Sequence, residues 1–131
     1  MGIIVRSIMF DGIKKKALFD SGSVTSYITE EALPECAVCI PIKPVDVSLG
    51  GRHHNITKRC IVPGKLNETP FEFDAFVIDK LGKVLDTKKK EKIKLDILIG
   101  ATTMEEWGIY LNPKTQSLDL SGLKKREFVS F

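Results

Sequence analysis

Cysteine is scarce in this chain, with three residues among 131, and tryptophan scarcer still, with one. The cysteines, Cys36, Cys39 and Cys60, form an odd set. That argues against a disulfide framework and for a reducing compartment, so a cytoplasmic protein is expected. Long apolar runs are missing as well. None approaches the roughly 18 residues that a membrane-spanning helix needs, so no membrane span is expected. Residues 1–6 offer no basic segment followed by a long apolar stretch, and a secretory signal is not expected. Nor does one sign of charge dominate: 20 Lys+Arg against 17 Asp+Glu leave +3. A chain that held nucleic acid mainly through basic charge would be more lopsided, so no nucleic-acid partner is expected. What remains is a globular chain whose 43% hydrophobic content suits one core, read as a single domain over 1–131.

Short strand-like runs and turns fill most of it. Ile3–Phe10 is rich in apolar and β-branched residues, and Asp11-Gly12 joins it to Ile13–Phe19 as a tight hairpin turn. Thr29–Leu33 reads as one helical turn with Thr29 as N-cap and Pro34 beyond its end. Pro41 and Pro44 confine the next extended stretch to an edge or a loop. Val45–Leu49, Gly50-Gly51 and Arg52–Ile61 then form a second hairpin with a glycine tip. Phe71–Ile78 is a strand with Phe71, Phe73 and Ala75 on one face. Residues 79–94 hold seven lysines against Asp79, Asp86 and Glu91 and read as a solvated loop or hairpin tip. An apolar run, Leu95–Ile99, leads through Gly100 into a short helix. Thr102 and Glu105 match a capping box there, and Gly108 suits the stop. Trp107 reads as a core residue. Ile109–Leu111, the Asn112-Pro113 turn and Leu118–Leu120 complete a mostly β chain with two small helices.

Two segments carry the chemistry. In Ala17-Leu18-Phe19-Asp20-Ser21-Gly22-Ser23, an apolar strand delivers one carboxylate into a turn where a hydroxyl and a glycine follow at once. Alone this is a common turn sequence, because Asp, Ser and Gly each favour turns for local reasons. The second segment is Asp96-Ile97-Leu98-Ile99-Gly100, an apolar strand ending in glycine ahead of the short helix. Together, and with Ser26-Tyr27-Ile28, they resemble the retropepsins, the retroviral and retrotransposon-type aspartic proteases. The resemblance runs from about Ile3 to Leu120 and is thinnest in the middle, where only the glycine tip supports it. It implies an all-β closed barrel with a flap hairpin at about 45–61, catalysis by Asp20, and support of its turn by Ser21, Gly22 and Ser23. It further implies a flap tip at Gly50 and Gly51, and Ile99 and Gly100 as structural residues beside the site. Val24 and Ala101 depart from the viral pattern, which has an Asp and an Arg at these places. The ion pair those residues make is therefore absent.

Aspartic-protease chemistry needs two carboxylates that share a proton, one acting as base on a water and the other as acid toward the scissile carbonyl. The chain contains one Asp-Ser-Gly. The expected enzyme is therefore a homodimer in which each copy contributes Asp20, acting on an extended peptide without metal or cofactor. Two other readings are open. The fold could serve as a catalytically silent dimerisation or peptide-binding module. Cys36-x-x-Cys39 with His53, His54 and Cys60 has the residue types of a zinc site but lacks a second paired knuckle, and adjacent histidines on a strand would face opposite ways.

Overall fold

The structure, a computed structural model, describes residues 3–86 and 89–125. Strand β1 (Ile3–Phe10) turns at Asp11-Gly12 into β2 (Ile13–Asp20), and β3 (Ser26–Thr29) runs into a 3₁₀ turn (Glu30–Ala32). Long strands β4 (Val38–Leu49), β5 (Arg52–Leu66) and β6 (Thr69–Ile78) follow. A small hairpin, β7 (Lys83–Asp86) and β8 (Glu91–Lys94), precedes β9 (Ile97–Ile99) and helix α1 (Ala101–Trp107). The last elements are β10 (Tyr110–Asn112), β11 (Ser117–Asp119) and α2 (Ser121–Lys125). In hydrogen-bonded order the main sheet runs β1-β2-β9-β3-β6-β5-β4. Because β1 also pairs with β5, at Met9 opposite Lys65, six of these strands close into a barrel. Strand β4 lies outside the ring, on β5. Its prolines sit where an edge strand tolerates them, and its ladder with β5 is interrupted between Pro41 and Val45.

Apolar side chains cover both faces of the central strands. Ala17 and Phe19 of β2, Ile28 of β3, and Ile97 and Ile99 of β9 join the larger core, with Phe71, Phe73 and Ala75 of β6, all buried. Their sequence neighbours Leu18, Tyr27 and Leu98 point the other way into a second cluster with Ile56, Ile78 and Leu95. Burial on both sides explains why these strands are continuous apolar runs rather than alternating ones. Trp107 closes one end of the larger core. Its ring packs edge-on against Phe71 at 5.8 Å, and its indole N–H donates to the Glu72 carbonyl at 2.8 Å.

Several expectations are corrected. Helix α1 begins at Ala101 with Gly100 as its N-cap, and no side chain caps it. The Thr102–Glu105 capping box does not form because the first donors are already taken: Ala101 N–H donates to Ser23 O and Thr102 N–H to Val24 O. Thr29 is the N-cap of the 3₁₀ turn as expected, but its side chain makes no capping hydrogen bond; it is buried in β3, where its N–H donates to Asp96 O. Cysteine parity misleads as well. The β4–β5 register sets Cys39 directly opposite Cys60, and the two are joined by a disulfide that leaves the exposed Cys36 as the odd one. The argument from cysteine count to a reducing compartment falls with it. Helix α2 has no counterpart in the sequence reading. The lysine-rich segment is a hairpin, β7–β8, with Lys88 outside the described residues.

Truncating Phe73 at the heart of this core should be costly. Phe73→Ala is expected to lower unfolding free energy by about 3–5 kcal/mol. Urea titration followed by tryptophan fluorescence measures this, and a loss under about 1 kcal/mol would mean the β6 face is not central.

Candidate active site

The Asp20 turn is held by strand β9. Strands β2 and β3 flank the turn but do not pair with each other. Instead β9 lies between them, parallel to β2 with Phe19 opposite Ile99, and antiparallel to β3 with Tyr27 opposite Leu98. Asp96 fixes the start of β9. Its N–H donates to Lys16 O at 2.9 Å, and its carboxylate accepts from Lys16 N–H at 3.0 Å. At the far end, a Cβ placed on Gly100 would lie 2.5 Å from Thr25 O and 2.7 Å from Ser23 O. Backbone atoms cannot yield as a flexible side-chain end can, so the turn sits this close only because residue 100 is glycine. Gly100 N–H donates to Ser26 Oγ at 3.0 Å, and Ser26 Oγ meets Thr103 Oγ1 at 2.7 Å in a buried link to α1. This Ser26–Thr103 link escapes the sequence reading; its one signal is a serine opening an otherwise apolar strand.

Within the turn, Gly22 N–H donates to Asp20 Oδ1 at 2.8 Å and Ser23 N–H to Asp20 O at 3.2 Å. Ser23 Oγ donates to Thr25 O at 2.9 Å. One carboxylate oxygen of Asp20 is thus oriented, while Oδ2 has no hydrogen-bond partner among the described residues. Asp20 is partly exposed, and Ser21 and Gly22 are exposed. Ser21 has no side-chain partner among the described residues.

Asp20 opens onto a cleft of about 710 Å³. Its floor is the second apolar cluster, Leu18, Tyr27, Leu95 and Leu98. The β4–β5 hairpin tip, from Ser48 to Gly50 with Arg52, and the stretch from Lys80 to Val84 also line it. Gly50 and Gly51 form the two-residue turn between the paired Leu49 and Arg52, with φ of 56° and 79°. Positive φ at both central residues is the type I′ pattern that suits a twisted hairpin. No atom would meet a Cβ at either glycine within 4 Å, so both glycines border open space, while Leu49 beside them packs against the second apolar cluster. The sequence reading selects Asp20, Gly22, Ser23 and Gly50, which line this one cleft. Ile99 is buried behind it in the larger core. Arg52 and the stretch from Lys80 to Val84 escape the sequence reading as cleft residues, because no motif marks them and only the fold brings them to the cleft.

The candidate zinc ligands are not brought together. Cys39 and Cys60 are bonded to each other, His53 is exposed, and His54 turns inward as expected for adjacent strand residues. His54 Nδ1 donates to Asp79 Oδ1 at 2.8 Å, tying hairpin strand β5 to the end of β6. This hydrogen bond, helped by the Lys80 N–H, holds the Asp79 carboxyl below the ordinary carboxylate range.

A six-stranded closed barrel, the inserted β9 and the Asp20 turn together make the fold retropepsin-like. Among solved structures, the chain is similar to the retroviral protease-like domain of Ddi1 from Leishmania major. The two share 17% identity at a TM-score of 0.65, over 92% of this chain and 90% of that one. No protein-family model matches the chain, and no curated protein does.

Two substitutions test the packing of the site. Gly100→Ala should destabilise the fold by at least the roughly 1–3 kcal/mol typical of overpacking, because the new methyl meets backbone oxygens. Unchanged stability in denaturant titration would show that the turn is not so closely held. The His54–Asp79 bond favours ionised Asp79, so it stabilises the fold above the ordinary carboxylate pKa and ceases to as pH falls through the lowered value. Asp79→Ala should therefore melt below the parent at pH 7, and the gap should close as pH falls through the lowered value. A gap that does not change with acidification would deny the pair its role.

Proposed function

We propose that the chain is an aspartic endopeptidase that works as a homodimer on extended polypeptides. The observation that carries the reading is the position of Asp20: an oriented, partly exposed carboxylate that opens onto a cleft bordered by a glycine hairpin tip. One chain supplies one such carboxylate. Two chains about a two-fold axis would set two Asp20 side chains together, the free Oδ2 of each directed at a shared water. The ionised member takes a proton from that water as it attacks the scissile carbonyl carbon. The protonated member donates to the carbonyl oxygen, and the resulting tetrahedral adduct expels the amine as its nitrogen is protonated. The hairpin from Val45 to Ile56, beyond the break in the β4–β5 ladder, would act as the flap, closing over the peptide and excluding water. Ser21, without a side-chain partner among the described residues, would brace the two turns across the axis.

A second reading keeps the fold and the peptide groove without the hydrolysis. Both fit the retropepsin-like fold. Asp20→Asn separates them, since it preserves shape and removes the ionisable group. The variant should lose hydrolysis of an unfolded protein such as reduced casein by at least about 100-fold while its melting temperature and sedimentation stay near the parent's. Parent activity should also rise more steeply than linearly with protein concentration in the dilute range, as the dimer forms. Equal cleavage by the Asn variant, or full activity in a monomer, would overturn the proposal.

A further inference from the structure

We propose that the cleft selects polypeptides with acidic side chains flanking the bond to be cut, through Arg52, Lys80 and Lys83. This inference rests on the endopeptidase reading above and adds the substrate class. All three residues line the cleft that holds Asp20, and Asp20 is the one carboxylate among its lining residues. Each cationic side chain is exposed and, among the described residues, none is in an ion pair. Three cations elsewhere in the fold are neutralised by ion pairs, Lys58 by Glu30, Arg59 by Asp74 and Lys94 by Glu31.

The carboxylates next to the lysines are engaged elsewhere. Asp79 and Glu31 adjoin Lys80 and Lys83 in a neighbouring depression, but Asp79 accepts from His54 and Glu31 from Lys94. Lys80 gives Asp79 only its backbone N–H. The ammonium groups of Lys80 and Lys83 and the guanidinium of Arg52 are therefore left for a ligand. They line the same cleft, Arg52 beside the hairpin tip and the lysines on the stretch from Lys80 to Val84, which the His54–Asp79 bond ties to β5. A peptide laid along this cleft over the apolar floor would meet all three positive charges. The apolar floor lowers the local dielectric and strengthens those contacts relative to open water. In a homodimer the same set would recur on the symmetry-related half, so acidic residues on either side of the scissile bond would be recognised.

The test uses labelled decapeptides with a common apolar centre and Glu, Gln or Lys at the flanking positions. Their binding to the Asp20→Asn protein, which should hold peptide without turnover, is followed by fluorescence anisotropy. Contacts of this kind contribute up to about fivefold each, so Glu peptides are expected to bind roughly tenfold tighter than Lys peptides. The preference should shrink at about 1 M salt, where the screening length falls to about 3 Å. Adding Lys80→Gln and Lys83→Gln should lower it severalfold, while Lys80→Arg and Lys83→Arg should retain it, a rescue that a merely structural role would not predict. Equal binding of the three peptides, no binding, or a preference untouched by the Gln pair would overturn the inference. Cleavage of the same peptides by the parent protein is scored separately. Acid-selective binding with no cleavage would remove the endopeptidase reading and leave only the cleft's preference for acidic peptides standing, whereas cleavage without charge preference would keep that reading and overturn the inference.

Discussion

Everything at the site depends on how closely the backbone of Gly100 passes the turn that follows Asp20. A side chain there would collide with Ser23 O and Thr25 O, and β9 could not end where it does. The glycine lets β9 lie between β2 and β3, so the two strands that carry the turn are bridged rather than left apart. The same contact places the N-terminus of α1 against the turn, where Ala101 and Thr102 spend their backbone donors on Ser23 and Val24. A helix start normally needs a side-chain cap for those donors. Here the turn is the cap, and helix and turn constrain each other.

The cleft is the reverse side of the core. Along β2, Phe19 faces inward while Leu18 floors the cleft, and along β9, Ile97 and Ile99 flank Leu98 in the same way. Groups on the cleft floor are therefore as rigidly placed as the core residues beside them, which a site built on loops alone would lack. Of the segments around the cleft, β4 and the stretch from Lys80 to Val84 lie outside the closed ring, and the His54–Asp79 hydrogen bond ties the start of that stretch to β5.

Where the local sequence decides the structure, it is legible. Asp11-Gly12 and Gly50-Gly51 impose their turns, alternation in Phe71, Phe73 and Ala75 sets the β6 face, and Gly108 stops α1 with φ of 64°. Where a distant segment decides, it is not. Thr102 and Glu105 form a plausible cap until the Asp20 turn arrives to take its place. Cys39 and Cys60, 21 residues apart, become partners only through the β4–β5 register, which parity of the cysteine count cannot reveal. The candidate site divides the same way. Asp20, Gly22 and Gly100 announce themselves by pattern, whereas Arg52, Lys80 and Lys83 are ordinary surface residues until the fold sets them around one cleft.

On the proposed reading, the site also opposes its own assembly. Two ionised carboxylates about 4 Å apart repel by about 4 kcal/mol at an effective dielectric constant of 20. A dimer that brings two Asp20 side chains together avoids this only by holding one proton between them, and that singly protonated pair is the state the hydrolytic chemistry requires. The surrounding chain does little else to favour closure at this point: Val24, beside the turn, is 70% exposed, and burying a side chain of its size returns only about 1.5 kcal/mol or somewhat more. A module that merely dimerised or held peptide would gain from an uncharged residue at position 20. Asp20 also holds its own turn by accepting from Gly22 N–H, but an uncharged Asn could accept that bond too. The charge itself therefore finds its use in the proposed proton transfer, and this favours the catalytic reading over the silent one.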